Sequence, residues 1–157
     1  MITIDGGTGV VTGGTLKSSG SVIQVVRNAT ISTFSTNSTS YADITDWTLD
    51  FTPSSASNKY LATFSAYIAS TLASSHNQQT QIKMFIDSTQ IGGTHLYAAE
   101  SGSGSLQWKG SANVRAFESF SSSSQVTFKV QAAANNDNST VYIYNPTLLV
   151  MEIQAWT

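Results

Sequence analysis

Apolar and polar residues alternate with a period of two on both sides of a Pro/Ser/Asn cluster between Tyr41 and Ser70. Trp47, Leu49 and Phe51 share one face there, and Asp46, Thr48 and Asp50 share the other. After the cluster, Tyr60, Ala62, Phe64, Ala66 and Ile68 stand opposite Leu61, Thr63, Ser65 and Tyr67. Alternation of this length requires strands with one buried face. Pro53 lacks a donor and closes the first strand, while the Ser/Asn residues supply turn geometry. The same pattern recurs along the chain. Val22 to Phe34 reads as one or two strands, with Asn28 as a candidate bulge. Ile82, Met84 and Ile86 form another set, and Gln90–Thr94 predicts a tight connection into His95–Ala99. Leu106, Trp108, Ala112, Val114 and Ala116 line a long strand in which Gly110 marks a bulge. Val126, Phe128, Val130 and Ala132 alternate again; Val141–Tyr144 and, beyond Pro146, Thr147–Trp156 follow the Asn-rich turn at 135–140. Ala69–Ala73 is the sole hint of a helical turn. About eight strands at this spacing predict an all-β fold, an antiparallel β-sandwich that is jelly-roll-like.

Residues 1–21 differ from the rest. Six of the eleven glycines lie here, and such a segment cannot anchor an isolated strand. The expected organisation is an extended Gly-rich N-terminal arm over 1–21 and one β-sandwich domain over 22–157. The arm has two readings: a strap laid on another surface through Ile2, Ile4, Val10, Val11 and Leu16, or a loose leader.

Composition narrows the function. Ser and Thr total 45 of 157 residues while charged residues make 10%, so polarity is carried by hydroxyls and amides. Hydrophobic content of 40% leaves enough material for a core. The net charge is −2 and the seven Lys and Arg residues are scattered, so no nucleic-acid partner is expected. The absence of cysteine excludes disulfides and thiolate metal sites. No apolar stretch approaches 18 residues and the N-terminus is not basic-then-apolar, so neither a membrane partner nor a secretory signal is expected. Three N-x-S/T sequons, at Asn28, Asn37 and Asn138, are expected by chance in so hydroxyl-rich a chain.

No constellation of reactive groups stands out. His76 and His95 lie apart, without the partners a metal site requires. Strand parity turns Asp43 away from Asp46 and Asp50, so these do not converge as a calcium loop would, and Asn135–Asn138 reads as a plain turn. Nothing pairs Glu100, Glu118 or Glu152 across a glycosidic bond, and no G-x-S-x-G elbow occurs. The expectation is a protein with no catalytic residues, no metal and no cofactor: not an enzyme.

Aromatic residues are mostly assigned to the core: Tyr41, Trp47, Tyr60 and Phe64 follow the buried parity. Tyr97 and Trp108 flank the Gly/Ser loop at 101–105 and are the aromatics most open to a glycan, with ordinary strand packing as the leading reading. The last strand has two semi-apolar faces. Val150, Glu152, Gln154 and Trp156 share one that is too polar for a monomer core, which points to a subunit interface; a solvated strand edge is the simpler alternative.

Three segments carry a resemblance: Thr36–Trp47 (TNSTSYADITDW), Phe51–Leu61 (FTPSSASNKYL) and Leu148–Ala155 (LLVMEIQA). Together they resemble a trimeric β-sandwich module of tailed-phage virion proteins, over roughly Val22 to Trp156. The resemblance implies a homotrimer, and either of two roles. One is a capsid decoration (cement) protein on the outer capsid surface of the virion, with the major capsid protein as partner. The other is a tail-fibre or tailspike tip recognising host surface glycan. Because the arm is short and no shaft precedes the module, the expectation favours decoration.

Overall fold

The computed structural model describes residues 3–4, 11–12, 20–29, 32–72, 78–98, 107–135 and 139–155; at 3–4, 11–12, 45–46, 72, 78, 97–98 and 107–108 it describes the backbone alone. Within the arm, β1 (Thr3–Ile4) pairs antiparallel with β2 (Val11–Thr12), a short ladder where a wholly extended segment was expected. The remaining strands are β3 (Val22–Ala29), β4 (Thr33–Thr36), β5 (Ala42–Phe51), β6 (Lys59–Leu72), β7 (Gln78–Ile86), β8 (Thr89–Ala98), β9 (Gln107–Ser119), β10 (Val126–Ala134) and β11 (Ser139–Ile153).

These form two antiparallel sheets, β5-β10-β7-β8 and β3-β11-β6-β9, with β4 also pairing β11. The pairing is nested: β3 and β4 with β11, β5 with β10, β6 with β9, β7 with β8. A ladder nested in this way and rolled into two sheets is the jelly roll.

Parity places the core between the sheets. Trp47, Leu49, Phe51, Tyr60, Phe64, Ile68, Ile82, Met84, Val114, Phe128, Val130, Ile143 and Val150 are all buried, as the alternation requires. The aromatic rings interlock: Trp47 lies 5.8 Å from Phe64, Tyr60 5.3 Å from Phe128, and Phe51 stacks on Phe120 at 5.5 Å. Each such side chain contributes about 1.5–3 kcal/mol by leaving water. Phe120 sits in a serine run that reads as loop, yet its amide bonds Asn58 O and its ring closes the end of the core.

Register shifts revise several sequence expectations. Asn145 and Pro146 together oppose Ala66, so 139–153 is one bulged strand and not two strands broken at Pro146. Proline is tolerated because the bulge needs no ladder donor, and Asn145 takes the left-handed conformation at φ 48°. The β7–β8 turn falls at Asp87–Ser88, ahead of Gln90–Thr94, which lies within β8; Ile91 is the unpaired bulge residue. Neither Asn28 nor Gly110 marks a bulge, since both stand in continuous register. Residues 69–72 continue β6 as strand, with no helical turn. Finally, a shift between Lys129 and Gln131 inverts parity within β5, so Asp43 points outward like Asp50.

Candidate interaction surface

The β11 residues expected at a subunit contact divide. Val150 and Glu152 are both 0% exposed and face the opposite sheet, so they belong to the interior of the single chain. Two-sheet packing turns the 148/150/152 face inward and leaves Leu149, Met151 and Ile153 on the outer face. Gln154 pairs by backbone with Gly20 and Ser21; Trp156 lies outside the described residues. In the arm, Ile4 and Val11 are paired by backbone, whereas Ile2, Val10 and Leu16 fall outside the described residues. Tyr97 is opposite Gln79 on β8 and Trp108 opposite Ser70 on β9, with no side-chain description for either. They lie on different sheets. Among the described residues, no three His, Cys, Asp or Glu side chains come together as metal ligands.

Glu152 is held by the turn that Pro53 opens. Its Oε1 accepts from Ser54 N (2.8 Å), Ser54 Oγ (2.8 Å) and Asn58 Nδ2 (2.7 Å), while Oε2 is buried and has no partner. Asn58 Oδ1 in turn accepts from Ala155 N at 3.2 Å. The Glu152 side chain thus ties the 54–58 turn to the C-terminal strand.

The outer face of β5-β10-β7-β8 is polar and internally satisfied. Lys129 Nζ and Gln131 Nε2 donate to the two oxygens of Asp43 at 3.1 and 2.6 Å, and Thr127 Oγ1 donates to Asp50 at 2.7 Å. These hydrogen bonds, first Gln131 and then Lys129, hold the Asp43 carboxyl below the usual carboxylate range. Tyr41 OH donates to Gln81, Gln81 donates to Gln79, and Gln79 Nε2 lies 2.6 Å from His95 Nδ1. Lys83 Nζ sits 3.9 Å over the Tyr41 ring, so Tyr41 is half-buried on this face and not part of the core.

The outer face of β3-β11-β6-β9 is different. Val25 pairs with Met151, Met151 with Leu61, and Leu61 with Phe117, making an apolar row across all four strands. Its ends are open: Val25 is 52% and Phe117 51% exposed. Val22 and Ile153 extend the row on one side and Leu149 on the other. Arg27, Lys59, Lys109 and Arg115 stand on the same face, which carries no carboxylate at its described strand positions. Four of the seven basic residues are therefore gathered on one surface, although they are scattered in sequence. Lys59 Nζ lies 5.2 Å over the Phe117 ring. An apolar row on a solvent-facing sheet is a feature of surfaces that bind other molecules.

Farther along this face the apolar character ends. Tyr67 lies 5.8 Å from Tyr144, which stacks on Tyr142 at 6.3 Å. Beside them a hollow of about 300 Å³ is lined by Ser65, Ala66, Tyr67, Ser111, Ala112, Asn113 and Asn145. The hollow exists because Ala66 pairs with Ala112 where the Asn145–Pro146 bulge turns the strand, leaving small residues between larger neighbours. No single stretch of sequence signals it, because its walls come from β6, β9 and β11.

No family model matches the chain, and no curated protein matches it in sequence. Among solved structures the chain is similar to one described as the structure of infectious bursal disease virus, Gx strain, with a TM-score of 0.38 and 11% sequence identity. The match covers 100% of this chain and 42% of that chain, so this chain spans less than half the length of the structure it resembles.

Proposed function

We propose that this chain is a virion structural protein of the capsid-decoration kind, a homotrimer that lies on the outer capsid surface and bridges neighbouring subunits of the major capsid protein. The observation that carries this reading is the apolar row Val25–Met151–Leu61–Phe117, set on one outer face while the other outer face is closed by its own hydrogen bonds. The sequence resemblance to tailed-phage virion modules supplies the context. The function is mechanical: burial of apolar surface at each contact opposes outward pressure on the shell, and no reaction is involved. The gathered Arg27, Lys59, Lys109 and Arg115 call for a partner surface bearing carboxylates. They also disfavour two copies meeting through this same face, because like charges would be opposed.

Quantitative mass spectrometry of purified virions tests the reading. A decoration protein is present in copies on the order of hundreds, as symmetric repetition over a shell requires. Absence from the particle refutes the virion assignment, and tens of copies or fewer refute decoration. Light scattering reads the trimer directly, as three times the 16.7 kDa of one chain. Particles assembled with Phe117→Glu should carry far fewer copies. A second reading, a fibre or spike tip that touches host glycan, is favoured by the exposed Tyr67 beside a polar hollow.

A further inference from the structure

We infer that the hollow beside Tyr67 is a binding site for a neutral sugar ring, with Tyr67 as the stacking platform and Ser65, Ser111, Asn113 and Asn145 as the polar contacts. The lining is the chemistry that recognises a polyol. Tyr67 is 43% exposed and offers an amphipathic ring whose face can cover the C–H groups of a pyranose. Its orientation is supported from behind, since Tyr144 lies 5.8 Å away and is itself stacked on Tyr142. A ring already held by its neighbours loses little freedom on binding.

The polar groups converge and are unused. Ser65 stands opposite Asn113 and Tyr67 opposite Ser111, so two hydroxyls and an amide come to one place through the β6–β9 register. Asn145 enters from the third strand, held at φ 48° in the bulge, a conformation few residues other than glycine and asparagine adopt readily. The described residues give no hydrogen-bond partner to the side chains of these four. They can therefore both donate to and accept from vicinal hydroxyls without breaking any internal bond. No charged side chain lines the hollow itself, Arg115 and Lys109 standing one step beyond Asn113 and Ser111 on the same strand, so the contacts within it are those of a neutral ring. Its volume, about 300 Å³, lies at the small end of ligand sites. That suits one ring of a longer glycan, with the rest of the chain running over the open sheet.

The inference is independent of where the protein sits on a particle. Its test uses the full chain in saturation-transfer NMR against a fixed panel: glucose, galactose, mannose, N-acetylglucosamine and their short neutral oligomers. At least one should show transfer to its ring protons, with weak affinity. Tyr67→Ala should reduce affinity at least tenfold, and Tyr67→Phe should keep most of it, because the ring face and not the hydroxyl is the platform. Asn113→Ala, at an exposed strand position that leaves the fold undisturbed, should weaken binding several-fold. Circular dichroism establishes that each variant is folded. No transfer from any member of the panel to the wild-type chain overturns the proposal, and so does binding that Tyr67→Ala and Asn113→Ala both leave unchanged.

Discussion

Replacing Glu152 by alanine should destabilise the protein more than most single changes, and the loss should arise within one chain. Three donors converge on Glu152 Oε1 at 2.7–2.8 Å; of these Asn58 Nδ2 is buried and would be left with Ser54 Oγ at 3.0 Å, whereas Ser54 stands at an exposed turn position. A hydrogen bond to a charged group contributes roughly 1.5–3 kcal/mol, and donors left buried without a partner cost about 1–3 kcal/mol each. These values are not additive, since the three bonds share one oxygen. Because the partners are neutral, removing the acceptor leaves no buried charge, and the lost bonds with the one buried donor amount to about 3 kcal/mol. For a domain of this size that corresponds to a fall in Tm of about 10 °C, at roughly 2–4 °C per kcal/mol. Glu152→Gln is the informative companion. It keeps an acceptor at Oε1 but puts an amide N–H₂ where Oε2 has no partner, so its cost should lie between wild type and alanine. Calorimetry over a hundredfold range of protein concentration separates an internal tie from a subunit contact. An internal tie gives the same loss of Tm throughout, whereas a contact between copies gives a loss that grows on dilution. An alanine variant within about 2 °C of wild type would refute the latch, and a loss that depends on concentration would return Glu152 to an interface.

Gly92→Ala should cost about 1–3 kcal/mol in urea denaturation, because the added methyl meets the buried Val114 Cγ1 at 2.9 Å and the Arg115 carbonyl at 3.4 Å. Asp43 governs a small acid-sensitive component. Its carboxyl is held below the usual range in the folded state, so its stabilisation is present above the unfolded pKa and is lost as pH falls through the lower folded value. The Tm difference between wild type and Asp43→Asn should therefore shrink on acidification, and from a modest start, since Asp43 is half exposed. Val25→Ser and Phe117→Ser should leave the unfolding free energy within about 0.5 kcal/mol of wild type, as exposed positions do, while lowering particle binding; a large stability loss would assign the row to folding instead.

The fold was legible because alternation in strands is a local signal. Trp47, Leu49 and Phe51 are buried, Thr48 and Asp50 are exposed, and β6 keeps the parity read for it along its whole described length. What was not legible is set by register between distant strands. The Val150/Glu152 face looked too polar for a core because the three donors on Glu152 Oε1 come from residues about a hundred positions earlier. Asp43 was assigned the wrong face because the β5–β10 shift inverts parity without any glycine or proline to mark it. Gly92 and Gly93 suggested a turn, whereas glycine at 92 answers a close approach of Val114 from the other sheet. The candidate surface was invisible for the same reason: Val25, Leu61, Phe117 and Met151 each look like one stray apolar residue until the sheet aligns them.

One outer face thus carries two chemistries, and their spacing makes them separable. Leu61, in the apolar row, and Tyr67, at the hollow, are six positions apart on one strand, or about 20 Å at roughly 3.3 Å per residue. Substitutions that far apart, with no shared partners, usually act additively within about 0.5 kcal/mol. Phe117→Glu should therefore remove particle binding without altering sugar affinity, and Tyr67→Ala should do the reverse. The double variant should show the two losses unchanged. Were Phe117→Glu to abolish sugar binding in a folded chain, the two ends would have to share one occupant covering the whole face. The apolar row and the hollow would then be parts of a single larger site, and the separate-partner reading would fail.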